Sequence, residues 1–145
     1  MLEIGFKRLV AHAPKAEDLI YGTPGSVGID LIATDYRYDH DRKVHEYGTG
    51  IAIELPEGYE GQIRPRSSNA KTSLILANSI GTIDTDYRGE LIVKFKEVDD
   101  RGVFYNVGDR IAQLVVMPVP KVKLIEKSEL SGTKRGDGGF GSTGR

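Results

Sequence analysis

The chain contains no cysteine and no tryptophan. The first absence excludes disulfides, iron–sulfur clusters, thiolate zinc sites and a thiol nucleophile together. Histidine is scarce: His12, His40 and His45 show no metal-ligand spacing and read as surface residues. An excess of either charge is lacking too, with 20 basic against 21 acidic residues and a net charge of −1. A dedicated nucleic-acid binder normally carries a basic excess, so nucleic acid is not an expected partner. A small anion held by a local basic cluster remains compatible with this balance. Long hydrophobic runs are also lacking, and Met1–Val10 alternates apolar with polar residues. The reading is therefore of a cytoplasmic protein with no signal peptide, no transmembrane segment and no membrane partner.

What is present in excess is glycine, 18 in 145 residues. Interior glycine is costly in helices, so little helix is expected. The glycines are unevenly spread, with six of the 18 between Ser131 and Arg145. That segment reads SGTKRGDGGFGSTGR and has Phe140 as its only large apolar side chain. It cannot offset its ordering entropy by burial. The expected organisation is a compact β body, residues 1–130, and a flexible Gly-rich arm, residues 131–145. Cations, an aromatic ring and hydroxyls on a glycine backbone suit an anion-clamping lid.

The body reads as strands. Leu2, Ile4 and Phe6 alternate with polar or small residues, and Leu91, Val93 and Phe95 alternate with Ile92, Lys94 and Lys96. Both have the period of two of a half-buried strand. Further strands are expected at 28–34, 48–55, 59–64, 74–77, 110–119 and 121–126, separated by turn signals such as Pro56-Glu57-Gly58 and Asn106-Val107-Gly108-Asp109. Strands at this spacing predict a sandwich or barrel. Ser68–Ser73 is the one candidate for a short helix.

Five short clusters concentrate the chemistry. Gly25-Ser26-Val27-Gly28-Ile29-Asp30-Leu31 places one carboxylate just after glycines at a strand start. Arg64-Pro65-Arg66-Ser67-Ser68 offers guanidinium forks and hydroxyls at an abrupt break, a combination suited to phosphate oxygens. The stretch from Asn78 to Glu90 is hairpin-like and would present Asn78, Asp84 and Tyr87 together at one edge. An Asn amide can match a pyrimidine edge, a Tyr ring can pack on a sugar or base, and a carboxylate can take a proton from water. In Gly108-Asp109-Arg110-Ile111-Ala112-Gln113-Leu114, Arg110 and Gln113 stand three apart, on opposite faces of a regular strand. The last cluster is the arm. Its Gly136-x-Gly138-x-x-Gly141 spacing imitates a dinucleotide fingerprint, but that fingerprint must follow a strand and open a helix in a βαβ unit, and only four residues follow it here.

Taken in order, GSVGIDL, RPRSS, GTIDTDYRGE, GDRIAQL and RGDGGFGSTG resemble the motifs of the homotrimeric dUTPase (dUTP diphosphatase) family, from Gly25 to Gly144. The resemblance implies an all-β, distorted jelly-roll-like barrel, a homotrimer, and active sites built at subunit interfaces. It implies hydrolysis of dUTP to dUMP and pyrophosphate, which limits uracil in DNA and supplies dUMP for dTMP synthesis. Asp84 would then activate the attacking water. Asn78 and the backbone around Ile83 would read uracil, Tyr87 would pack on the deoxyribose and exclude a 2′-hydroxyl, and Phe140 would close over the base. Arg66, Ser67, Ser68 and Gln113 would contact phosphates, with Arg135, Gly141, Ser142 and Thr143 gripping the terminal one. Asp30 would lie near the water shell of a Mg²⁺ carried by the triphosphate. Two positions depart from the commonest family pattern: Ser68 replaces the usual Gly, and Ile29 precedes the Asp. Two rival functions share the fold, a dCTP deaminase-like enzyme and a non-catalytic deoxynucleotide-sensing module. The first is distinguished by ammonia release from dCTP and by a catalytic Glu in the third motif, where this chain has Asp84-Thr85-Asp86-Tyr87.

Overall fold

A computed structural model describes residues Leu2 to Gly139. Among the described residues there are ten strands: β1 (Gly5–Arg8), β2 (Ile29–Ile32), β3 (Asp35–Asp39), β4 (Val44–Gly48), β5 (Ile51–Glu54), β6 (Tyr59–Arg64), β7 (Leu74–Leu76), β8 (Gly81–Ile83), β9 (Ile92–Glu97) and β10 (Arg110–Pro118). The one helical element among the described residues is a 3₁₀ turn, Ser67–Lys71, close to the position expected. The strands form two four-stranded antiparallel sheets, β2-β10-β6-β8 and β3-β4-β9-β7, and a two-stranded ribbon, β1-β5. This is the all-β, jelly-roll-like architecture expected.

The core lies between the sheets and is built from alternate residues. Val93 and Phe95 of β9 point inward while Ile92, Lys94 and Lys96 face out. Leu31, Tyr47, Ile51, Leu91, Phe95 and Ile111 are all fully buried. The Tyr47 hydroxyl is satisfied at 3.0 Å by the Tyr105 carbonyl, and burial pushes its phenol up to about 12. Glu46 is the notable buried charge, held by Lys94 Nζ at 2.6 Å and by Arg37. These two cations hold its carboxyl below the ordinary range.

Several expectations are corrected. The strand expected at 48–55 is present as β5 but starts only at Ile51: Gly50 adopts a φ of +67° and turns a corner there, and Gly48 closes β4 in another sheet. β3 and β4 were hidden by the polar composition of β3, whose outer face is exposed. β1 begins at Gly5, not at Leu2. His45 is not a surface residue. It is 2% exposed, its Nε2 2.8 Å from Glu97 and its Nδ1 3.0 Å from the Tyr36 hydroxyl, under the Phe104 ring. No strand forms at 121–126. Val122, Leu124 and Ile125 are 73–93% exposed there, and none of the described strands pairs with them.

Candidate active site

The second cluster lies where β6 ends. Pro65 and Arg66 leave the strand and the 3₁₀ turn begins at Ser67. The first N–H groups of a helical turn have no acceptor within it, so those of Ser67 and Ser68 are available to an anion. Arg66 Nε donates to Asp30 Oδ1 at 2.7 Å, and its Nη1 reaches Ser68 Oγ and the Arg110 carbonyl, each at 3.3 Å. Arg110 Nη1 lies 3.6 Å from Asp30 Oδ2. Asp30 thus sits between two guanidinium groups. Ser67 is exposed, while the Ser68 hydroxyl is engaged by Arg66.

Asp30 and Gln113 face each other across β2 and β10, and Gln113 is in turn opposite Arg64 on β6. Gln113 Nε2 donates to the Pro65 carbonyl at 3.0 Å, which ties its side chain to the start of the phosphate-binding candidate. Gly28 is what makes room for that side chain: a Cβ there would overlap Gln113 Oε1 and stand 3.0 Å from its Cβ. The expected separation of Arg110 and Gln113 onto opposite faces does not hold. A β-bulge between Arg110 and Ala112 inserts one residue and shifts the alternation, so both come to the Asp30 side. The turn before β10 is fixed by Asp109 Oδ2, which accepts from the Asn106 N–H at 2.7 Å, and by Gly108 at a φ of +97°.

The third cluster is arranged differently from a hairpin. β7 pairs with β9, and β8 pairs with β6, so the chain crosses from one sheet to the other between Ala77 and Ile80. Asn78 stands at the entry to β8, beside Gly81, and is exposed. Asp84 leaves the other end of β8, exposed, in a turn closed by the Tyr87 N–H donating to the Asp84 carbonyl at 3.2 Å. Asp84, Tyr87, Thr82, Glu90, Ile92 and Lys94 line a groove of about 310 Å³. The Ile83 side chain is buried in the core, so only its backbone is free to meet a ligand. Tyr87 lies over Gly89, and its hydroxyl donates to the Glu90 carbonyl at 2.9 Å.

The two clusters stand at opposite ends of one sheet. Ile83 is opposite Gly61, which sets Asp84 opposite Glu60, four residues before Arg64. At about 3.3 Å per residue this is roughly 13 Å along the strand. A general base must come within about 3 Å of the proton that it takes, directly or through one water. A single chain therefore does not bring Asp84 and the Arg66 cluster to one phosphorus atom.

Of the arm, Arg135 is described: its Nε donates to the Gly138 carbonyl at 2.8 Å within a local turn. Phe140, Gly141, Ser142 and Thr143 lie outside the described residues. Among the described residues no group of three or more His, Asp or Glu is placed to hold a metal. The Asp30 carboxylate is already paired with Arg66, so the residues suit a cation carried by a phosphate ligand and contacted through water, not one caged by the protein.

The dUTPase family model matches residues 14–144, nearly the whole chain. The chain belongs to the dUTPase family. A deoxyuridine 5′-triphosphate nucleotidohydrolase of Hydrogenobaculum sp. is 52% identical over 128 residues, covering 86% of this chain and 88% of that protein. Among solved structures, the dUTPase of Staphylococcus bacteriophage 80alpha with dUPNHPP matches over the full length of both chains with a TM-score of 0.80 at 23% identity. A mutant dUTPase of phage phi11 of S. aureus, described as revealing the coordination of a structural Mg(II) ion, matches with a TM-score of 0.71 at 22% identity, over 88% of this chain and 98% of that one. These two likenesses establish the fold. Arg110, which draws close to Asp30, is a candidate site residue to which the motifs assigned no role. Its signal was the Gly-Asp-Arg turn, but its placement depends on the bulge.

Proposed function

We propose that this dUTPase-family chain hydrolyses dUTP to dUMP and pyrophosphate, with Asp84 as the base. Water gives a proton to the Asp84 carboxylate as its oxygen attacks the α-phosphorus. The bond from that phosphorus to the bridging oxygen breaks, and pyrophosphate leaves with the electron pair. Asn78 and the backbone at Ile83 read the uracil edge, and Tyr87 packs on the deoxyribose. Arg66, Ser67, Ser68 and Gln113 take the phosphates, and Arg135, Gly141, Ser142, Thr143 and Phe140 close over the bound nucleotide.

A triphosphate carries about four negative charges near neutral pH and repels a carboxylate base. Neutralisation is needed before Asp84 can work, and a Mg²⁺ carried by the triphosphate would supply part of it. The guanidinium and N–H groups of the Arg66–Ser68 segment supply the rest and meet charge that develops during attack. Asp30 holds Arg66 in place and would contact such a cation through its bound water.

The observation that carries this reading is the separation of the base from the phosphate cluster along one sheet. It supports a homotrimer in which one chain brings Asp84 and Tyr87 to the Arg66, Gln113 and Asp30 of another. The exposed Val122, Leu124, Ile125 and Leu130 support the same assembly, since bare apolar residues of this kind mark a surface covered by a partner. The test is pyrophosphate release from dUTP by the wild type and by Asp84→Asn. The variant is expected to lose ~10²-fold or more in kcat. Equal rates would remove Asp84 from its role, and ammonia release from dCTP would replace the reaction.

A further inference from the structure

Gly89 stands two residues after Tyr87 and has no direct access to the groove that Asp84 and Tyr87 line. Its φ is not in the left-handed region, so its backbone conformation does not demand glycine. What demands it is space. A Cβ at this position would stand 2.5 Å from Tyr87 Cζ and 3.0 Å from Cε2, and would overlap the hydroxyl. A tyrosine ring is rigid and turns about only two side-chain torsions, so it cannot yield at its tip alone. Any side chain at position 89 lifts the whole ring, and lifting it breaks the 2.9 Å bond from the Tyr87 hydroxyl to the Glu90 carbonyl.

The backbone beneath the ring is itself held. Arg88 Nη1 donates to the carbonyls of Thr85 at 2.6 Å and Tyr87 at 3.0 Å, while its Nη2 reaches Glu54 Oε1 at 2.9 Å on β5. Moving the ring is therefore not absorbed by a shift of the turn. The opposite face of Tyr87 is open, the residue being 43% exposed, and it forms a wall of the groove that contains Asp84.

We infer that Gly89 is a specificity-determining positioning residue: by lacking a side chain it sets how far the Tyr87 ring stands back from the sugar, and so how strictly a 2′-hydroxyl is refused. The inference rests on the reading that Tyr87 packs on the deoxyribose. A ring seated on Gly89 and anchored at Glu90 is a fixed wall. A displaced ring crowds the deoxynucleotide and loses its defined distance to the ribonucleotide. Discrimination is a ratio of kcat/KM values, and it falls when the contact that separates two substrates is no longer held in place.

The experiment measures kcat/KM for dUTP and for UTP on the full chain, in the wild type, Gly89→Ala, Tyr87→Phe and Tyr87→Ala. Gly89→Ala is expected to lower the dUTP-to-UTP ratio by ~10-fold or more. A merely structural defect would lower both values together and leave the ratio alone. Tyr87→Phe keeps the ring and removes its anchor on Glu90, so it is expected to lower the ratio by less, and it carries the test if Gly89→Ala does not fold. If Tyr87→Ala collapses the ratio while Gly89→Ala and Tyr87→Phe both retain the wild-type value, positioning by Gly89 is refuted and the role of Tyr87 stands. If Tyr87→Ala leaves the ratio unchanged, the role of Tyr87 is refuted and the inference falls with it.

Discussion

Gly28→Ala offers a test in which the damage travels through a single side chain. A Cβ at Gly28 would overlap Gln113 Oε1 and press at 3.0 and 3.1 Å on Gln113 Cβ and Cδ. Gln113 must rotate, and its 3.0 Å bond to the Pro65 carbonyl is lost. That bond is worth about 0.5–1.5 kcal/mol. Local overpacking adds about 1–3 kcal/mol at most, lowered because an amide end can swing away. Stability should therefore fall only modestly, with a midpoint a few degrees lower. Activity should fall further. A hydrogen bond to a charged group contributes about 1.5–3 kcal/mol, which is roughly 10- to 100-fold in rate when it is lost from the transition state. The assay is kcat/KM for dUTP in a four-member cycle: wild type, Gly28→Ala, Gln113→Ala and the double variant. If Gly28 acts through Gln113, alanine at 28 costs ~10-fold or more in the wild-type background and almost nothing once Gln113 is gone. An equal loss in both backgrounds would refute the reasoning.

Two further substitutions probe the body. Phe95→Ala removes a fully buried ring packed against Tyr47 and Tyr105 at centroid distances of 5.9 and 5.5 Å, and denaturant unfolding should show a loss of about 3–5 kcal/mol. Glu46→Gln tests the buried carboxylate through pH. Lys94 and Arg37 hold its folded pKa below the ordinary 4.5, so its contribution is present above that value and is lost as pH falls through the lowered one. The variant should be less stable by about 1–3 kcal/mol at pH 7, and the gap to wild type should close on acidification. A gap that stays constant down to acid pH would contradict the ion-pair reading.

The local parts of the candidate site were legible because each motif is contiguous. Asp84, Arg66 and Gln113 are named by short strings whose turn and strand signals need no partner. The strand pattern of β9 was equally legible, since one face is buried and the other wet. What was not legible depends on register and on contacts distant in sequence. The bulge at Arg110 reverses a parity that simple alternation assigns. His45 is buried because Glu97, Tyr36 and Phe104 arrive from elsewhere in the chain, and a lone histidine in a polar stretch carries no trace of them. The corner at Gly50 delays β5 to Ile51 and leaves Gly48 at the end of β4, in another sheet. Most consequential is the pairing of Ile83 with Gly61, which sets Asp84 at the far end of the sheet from Arg66. No motif contains that distance.

A site divided between chains is the central claim, and complementation tests it directly. Asp84→Asn and Arg66→Ala are each expected to be nearly inactive alone. Co-expressed in equal amounts and purified as mixed assemblies, they should regain activity, because a site can draw its intact Asp84 from the Arg66→Ala chain and its intact Arg66 from the Asp84→Asn chain. Random mixing in a cyclic assembly would restore about a quarter of the sites. If each chain holds its own complete site, no mixed assembly contains a functional one, and activity that stays at the level of the single variants would contradict the account.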